Sequence, residues 1–363
     1  MKTRWLFLLS LLSTPVFGQT YYVTPQGNSA NNGQTWETSW TLRKASEAAQ
    51  PGDTVIVRKG EYSDDTNNVF VPASGGTATA PITLRGENPN DPPMLSRAKG
   101  GGFNIRVPYI IIQDVGCKGV LGASCVSIRE THHVTVRRLR ADGNYNGVTI
   151  SNADDNVVED SLITNNQEGI YVSHGSDRNK ILRNRVLYNG VGPKGDRDAI
   201  AVGGNGAGSD NIIEGNTVTD NAHIGIGVFD APRTIVRQNH VRNNGSTGIS
   251  VAMFSVHSLV EGNRVEGNGT ACKKLTNIAG ITVRTGSSGT VVSNNLVLNN
   301  CVAAGNPWGD KDPRGGIDLR SWRFSDPRTM DNVKLLNNRV SGTVNGPDFY
   351  VDPDSNINGL MVY

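Results

Sequence analysis

Apolar residues alternate with small or polar ones in short bursts along this chain, and from about residue 134 the bursts recur. The first signature is a small residue followed by two inward-type apolar positions. It appears as Gly147-Val148-Thr149-Ile150, Gly169-Ile170-Tyr171-Val172, Ala199-Ile200-Ala201-Val202 and Gly225-Ile226-Gly227-Val228. It returns as Gly248-Ile249-Ser250-Val251, Gly280-Ile281-Thr282-Val283 and Gly316-Ile317-Asp318-Leu319. A second signature pairs an Asn or Asp with another Asn five residues on: Asp160/Asn165, Asn184/Asn189, Asn216/Asn221, Asn239/Asn244, Asn263/Asn268 and Asn295/Asn300. Alternation with period two predicts strands, and the Gly and Asn between them predict tight turns.

The shortest interval between signatures is 22 residues, from Gly147 to Gly169. A unit that short cannot bury a face alone and must stack on its neighbours. Strand-type alternation makes the stack a parallel β-helix, with Ile and Val pointing inward and Asn amides laddering from rung to rung. About ten rungs are expected over residues 53–345, with Ile170, Ile200, Ile226, Ile249, Ile281 and Ile317 in one buried column. Residues 41–50 (TLRKASEAAQ) predict a helix that caps the first rung and stops at Pro51-Gly52. Residues 19–52 form the entry strand and cap, and residues 346–363 are expected to cover the other end.

Composition agrees with an all-β chain: 43 Gly and 6% aromatic residues. Lys+Arg number 35 and Asp+Glu 33, a balance that argues against a nucleic-acid binder. Met1-Lys2-Thr3-Arg4, the apolar run Trp5–Leu12 and a small-residue site near Gly18 read as a secretory signal peptide, residues 1–18. The run is too short to span a bilayer. A secreted or periplasmic monomer is expected. In an exported chain, four Cys suggest Cys117–Cys125 across a short loop, and Cys272–Cys301 between two insertions.

The entry Tyr21-Tyr22-Val23-Thr24-Pro25-Gln26-Gly27, then Trp36 to Trp40, then Ala48-Ala49-Gln50-Pro51-Gly52-Asp53-Thr54-Val55-Ile56-Val57 carries a resemblance. It resembles secreted bacterial right-handed β-helix proteins: pectate, alginate and chondroitin lyases and mannuronan epimerases. The resemblance covers nearly the whole mature chain and implies a right-handed β-helix acting on polysaccharides. The epimerase Asp-Pro-His motif and a pectate-lyase type of Asp cluster are both missing from the sequence, which leaves the activity open.

Residues between the inward Ile and Val point outward. One outward column reads Thr149, Tyr171, Ala201, Gly227, Ser250, Thr282, Asp318, and the next Ser151, Ser173, Gly203, Phe229, Ala252, Arg284, Arg320. The small middle is a floor on which a polymer could lie. Insertions 190–198, 269–279 and 301–315 leave the solenoid at one corner and should wall this face, bringing Lys194, Asp196, Lys273, Lys274, Lys311, Arg314 and Trp308.

At the mouth of the face stand Tyr145, Gln167, Arg197 and His223 in one column and Asn146, Glu168 and Asp198 in the next. The second column offers oxygen ligands to Ca²⁺; ordinary turn hydrogen bonding is the plainer role for such residues. For β-elimination on an acidic, uronic-acid glycan, the candidate bases are Lys194, Arg197, His223 and Tyr145, with Arg284 and Arg320 holding carboxylates. Tyr171, Phe229, Trp308 and Asp318 are further substrate contacts. For hydrolysis, the candidate carboxylates are Glu168, Asp196, Asp198 and Asp318. The cationic wall favours the lyase; a non-catalytic glycan-binding β-helix is the third reading.

Overall fold

The computed structural model describes residues 18–63, 69–96, 101–190, 197–204, 206, 208–270, 279–302, 315–320, 329–353 and 355–363. Three long parallel sheets wind about one axis, with 13, 11 and 10 strands among the described residues. One rung illustrates the order: Val157–Glu159 in the first sheet, Leu162–Thr164 in the second, Glu168–Ser173 in the third. Every pairing between neighbouring strands of these sheets is parallel, and each residue meets its repeat equivalent. Thus Ile170 faces Ile200, Ile200 faces Ile226, Ile226 faces Ile249, Ile249 faces Ile281, and Ile281 faces Ile317.

All six of these isoleucines are buried. Fully burying such a side chain contributes about 1.5–3 kcal/mol, so the Ile column and its Val companions dominate the stability of the third sheet. At the entry, the helix Leu42–Ala48 buries Leu42 and Ala45 against the first rungs, and its N-cap Thr41 accepts a hydrogen bond from the Lys44 N–H. It ends at Ala48, short of the expected residue 50 and three residues before Pro51.

The Asn signature builds two ladders. One runs Asn184–Asn216–Asn239–Asn263–Asn295–Asn338, the other Asn166–Asn189–Asn221–Asn244–Asn268–Asn300. Within each ladder an Oδ1 accepts both an amide and a backbone N–H from the Asn of the rung before, as Asn216 does from Asn184 at 3.1 and 2.8 Å. The first pair departs from expectation by one residue. Ser161 and Asn166 take the inward ladder positions, while Asp160 and Asn165 adopt left-handed backbone (φ 51° and 56°) at the outward corners. Asp160 instead pairs with Arg183, and Asn165 with Asp142.

The signature Gly has a packing cause. A Cβ at Gly225 would stand 2.6 Å from Val241 Cγ1 and 2.9 Å from the Asn244 amide nitrogen. The second sheet and its ladder fill that corner. In the rung where Cys125 replaces this Gly, opposite Gly147, the corner holds the Cys117–Cys125 disulfide (Cα–Cα 5.5 Å). The other expected pairing falls on Cys272, outside the described residues; Cys301 is buried, its Sγ 3.5 Å from the Gly315 carbonyl.

At the far end, Phe349–Val351, Arg339–Ser341 and Met361–Val362 add a last strand to each sheet. Phe349, Val351 and Val362 are exposed there, so residues 346–363 supply a terminal rung and leave its apolar side chains uncovered among the described residues.

Candidate active site

Register alone places the candidate columns side by side on the edge of the third sheet. Ser124 faces Asn146 and Asn146 faces Glu168; Arg197 and Asp198 come just before the next strand, Ile200–Gly203. The side chains then select their partners. Arg197 donates from Nη1 to Glu168 Oε2 at 2.9 Å and from Nη2 to the Tyr145 hydroxyl oxygen at 2.8 Å. Its guanidinium carbon lies 5.0 Å from the Tyr145 ring centre. One long side chain therefore ties three successive rungs together.

Beside it, His223 Nδ1 lies 2.5 Å from Asp198 Oδ1. Both side chains are mostly buried. Glu168 is 6% exposed, and burial pushes its carboxyl up to about 7, with Asp198 adding and Arg197 opposing. Two carboxyl groups on adjacent rungs thus sit in different settings. Glu168 is poised near neutrality, and Asp198 is engaged by an imidazole.

These contacts bear on calcium. Glu168 Oε2 is engaged by the Arg197 guanidinium and Asp198 Oδ1 by the His223 ring. Asn146 turns its amide to Thr149 at 3.0 Å. Among the described residues, no three His, Cys, Asp or Glu side chains gather as a ligand set. Within the column, Glu168 and Arg197 form a charge pair and Asp198 stands against His223.

A cleft of about 430 Å³ opens on the N-terminal side of Tyr145. Tyr145, Asn146, Ser124, Ser127, Asn104, Arg106 and Arg129 line it, with the loop residues Gly122 and Ala123 forming a wall. Arg129 is fixed by donation from Nε to Ser127 Oγ at 2.8 Å, while Arg106 pairs with Glu130. Asn146 Oδ1 is buried at this wall with no hydrogen-bond partner among the described residues. An unmet buried acceptor costs about 1–3 kcal/mol.

On the other side of Tyr145, Phe229 covers part of the column of small residues. A Cβ at Gly227 would lie 2.3 Å from Phe229 Cε2 and 2.8 Å from Asp198 Oδ2, and one at Gly203 would lie 2.6 Å from Phe229 Cβ. The Phe229 ring rests on two glycines beside Asp198. Tyr171 leans the same way, its hydroxyl 2.9 Å from where a Gly204 Cβ would be.

Farther along, three expected contacts lie below the surface. Arg284, Asp318 and Arg320 are buried (7%, 0% and 5% exposed) and form an internal cluster. Arg320 Nη2 lies 2.8 Å from Asp318 Oδ2, and Arg284 donates to Ser250 Oγ at 3.2 Å. Burial pushes the Arg284 guanidinium down to about 10 and the Asp318 carboxyl up. Packing has taken these three side chains almost entirely out of solvent. Lys194, Asp196 and Trp308, with Lys273, Lys274, Lys311 and Arg314, lie outside the described residues.

The Arg106 and Arg129 cleft escaped the sequence reading. Ser124–Arg129 repeats the alternation, but Cys125 stands where later rungs have Gly, so the signature is broken there. Reading Cys125-Val126-Ser127-Ile128 as a copy would have placed Arg129 in the outward column.

The model of the Pel9A-like right-handed β-helix region matches residues 21–310. A pectate lyase L of Dickeya chrysanthemi is 22% identical over 60% of this chain and 49% of its own length. The uncharacterized YwoF of Bacillus subtilis is 28% identical over 62% of this chain and 47% of its own. The chain spans about half the length of these curated relatives. Among solved structures, an alginate lyase from Paenibacillus sp. covers 94% of this chain and 97% of its own, at 17% identity and a TM-score of 0.53. The catalytic domain of a GH87 α-1,3-glucanase covers 96% and 70%, at 14% identity and a TM-score of 0.63. These structures share the fold. The chain belongs to the family of Pel9A-like right-handed β-helices.

Proposed function

We propose that this Pel9A-like β-helix is an exported polysaccharide lyase that cleaves a uronic-acid-containing glycan by β-elimination, with Tyr145 as the proton-transferring residue. The observation that carries the reading is the Arg197 guanidinium, which bonds the Tyr145 oxygen at 2.8 Å at the rim of a cleft that also holds Arg129. In its phenolate form Tyr145 takes the proton from the carbon next to the uronate carboxylate. Charge on the phenolate oxygen before that transfer is met by a fixed cation. The C–H electrons form the new C=C bond, the bond to the glycosidic oxygen breaks, and the proton passes from Tyr145 to that leaving oxygen. Arg129 faces the carboxylate, whose neutralisation acidifies the adjacent C–H. Glu168 orients Arg197 and balances its charge. The pectate-lyase relative supports the same reaction class.

The Glu168–Asp198 pair favours a second reading. A carboxyl held near 7 beside one held by an imidazole is the division of labour between acid and base in a glycoside hydrolase. A single assay separates the two. Incubated with a panel of uronic-acid polysaccharides, the protein should raise ultraviolet absorbance and reducing ends together, and Tyr145→Phe should slow both about 10²–10⁴-fold. Reducing ends without absorbance would replace the lyase by the hydrolase. Neither signal with any polymer would overturn both.

A further inference from the structure

The exposed arginines of the solenoid fall into two groups. Around the first sheet they are matched to carboxylates: Arg178 to Asp155 at 2.8 Å, Arg183 to Asp160 at 2.9 Å and Arg233 to Asp210 at 2.7 Å. On the outer face of the second sheet, Arg140, Arg185, Arg242 and Arg339 are exposed, and none is ion-paired among the described residues. The first three flank the buried Ala141, Val186 and Val241 of their strands, so they project outward. Nearby, Arg264 and His240 share Glu266, and Asp142 accepts the Asn165 amide. Arg140 faces Leu162, Leu162 faces Arg185, Arg185 faces Thr217, and Thr217 faces His240, two residues before Arg242. The unpaired cations therefore recur on every second rung, roughly 10 Å apart. Arg339 extends the row three rungs farther, to roughly 34 Å in all. Tyr188, 53% exposed, follows the strand Arg185–Leu187 at the edge of this face.

We propose that this face is a non-catalytic anchor for a linear acidic polysaccharide, laid along the solenoid axis one corner away from the Tyr145 groove. A single exposed ion pair contributes little, so the row rewards a ligand that meets several arginines at once. Each guanidinium takes a carboxylate with two hydrogen bonds, and the Tyr188 ring offers a face to sugar C–H groups. The sparseness of the row selects the polymer. Duplex DNA carries a charge about every 1.7 Å of axis, whereas Leu162 and Thr217 leave alternate rungs neutral and Asp142 and Glu266 stand in the neighbouring column. A chain with one carboxylate per sugar presents sparse charges of the same kind. The site goes beyond the lyase reading, because holding a polymer here needs no turnover.

The experiment measures binding of Tyr145→Phe protein to immobilised polygalacturonate over a range of salt. Arg140→Gln, Arg185→Gln and Arg242→Gln, combined, should weaken binding at least about 10-fold at low salt and flatten its salt dependence. Arg178→Gln, Arg183→Gln and Arg233→Gln, combined, remove the same charge from paired positions and should weaken it less than about 3-fold. Tyr188→Ala alone should also weaken it, with melting curves confirming that each variant folds. Unchanged binding in the first triple variant, equal loss in the second, no binding by the parent protein, or tighter binding of duplex DNA than of polygalacturonate would overturn the inference. If the first triple variant loses the polymer as expected but wild-type protein cleaves no uronic-acid glycan, the lyase proposal falls and the anchor stands.

Discussion

Replacing Glu168 by Gln tests the electrostatics of the cluster directly. The Glu168 carboxyl is pushed from its usual 4.5 up to about 7, first by burial and then by Asp198, against the pull of Arg197. Between those two pH values the folded protein holds a proton that the unfolded chain has released. Stability is therefore full below about pH 4.5 and declines as pH rises through 7. At about 1.36 kcal/mol per unit, the loss from this one group comes to about 3 kcal/mol once it is ionised in both states. Glutamine has the same shape, keeps an acceptor for Arg197 and never ionises. Chemical denaturation of wild type and Glu168→Gln at pH 4.5, 5.5, 6.5, 7.5 and 8.5 gives the stability difference at each pH, in which every other titration cancels. The variant should gain about 3 kcal/mol on wild type between the acid and alkaline ends, with most of the change below pH 7. A difference constant with pH, or one moving the other way, would refute the argument that burial outweighs the Arg197 pairing. Activity adds a second readout. On the lyase reading the variant keeps most of its turnover, and on the hydrolase reading it loses orders of magnitude.

Asn216→Ala should destabilise the solenoid by about 2–4 kcal/mol, because it strips the acceptor from Asn184 and a rung-to-rung link to Asn239. Asn165→Ala, at an exposed corner, should cost under about 1 kcal/mol, and urea titration of the two compares them. Tyr145→Phe should lower kcat about 10²–10⁴-fold with KM little changed, as steady-state kinetics would show. Unreduced peptide mapping should recover Cys117 linked to Cys125, and the double Ser variant should lose about 2–3 kcal/mol for a loop of this size.

Periodicity is a local property, and it carried the fold. Two-residue alternation and a repeat of 22 residues or more placed Ile170 through Ile317 in one buried column, and Asn184 through Asn300 in ladders, before any contact was known. Where the spacing was ambiguous by one residue, at Asp160 and Asn165, packing decided. Ser161 and Asn166 fit the inward corner, and their predecessors took the left-handed turn. The same alternation showed that Tyr145, Glu168, Arg197, Asp198 and His223 share an edge. It could not show that Arg197 crosses 52 residues of chain to hold Tyr145, or that His223 binds Asp198. Nor could it show that Arg284, Asp318 and Arg320, outward by register, end up buried. Side-chain direction follows from the backbone of one strand. Burial and charge pairing depend on what neighbouring rungs place alongside, and only the tertiary structure sets that.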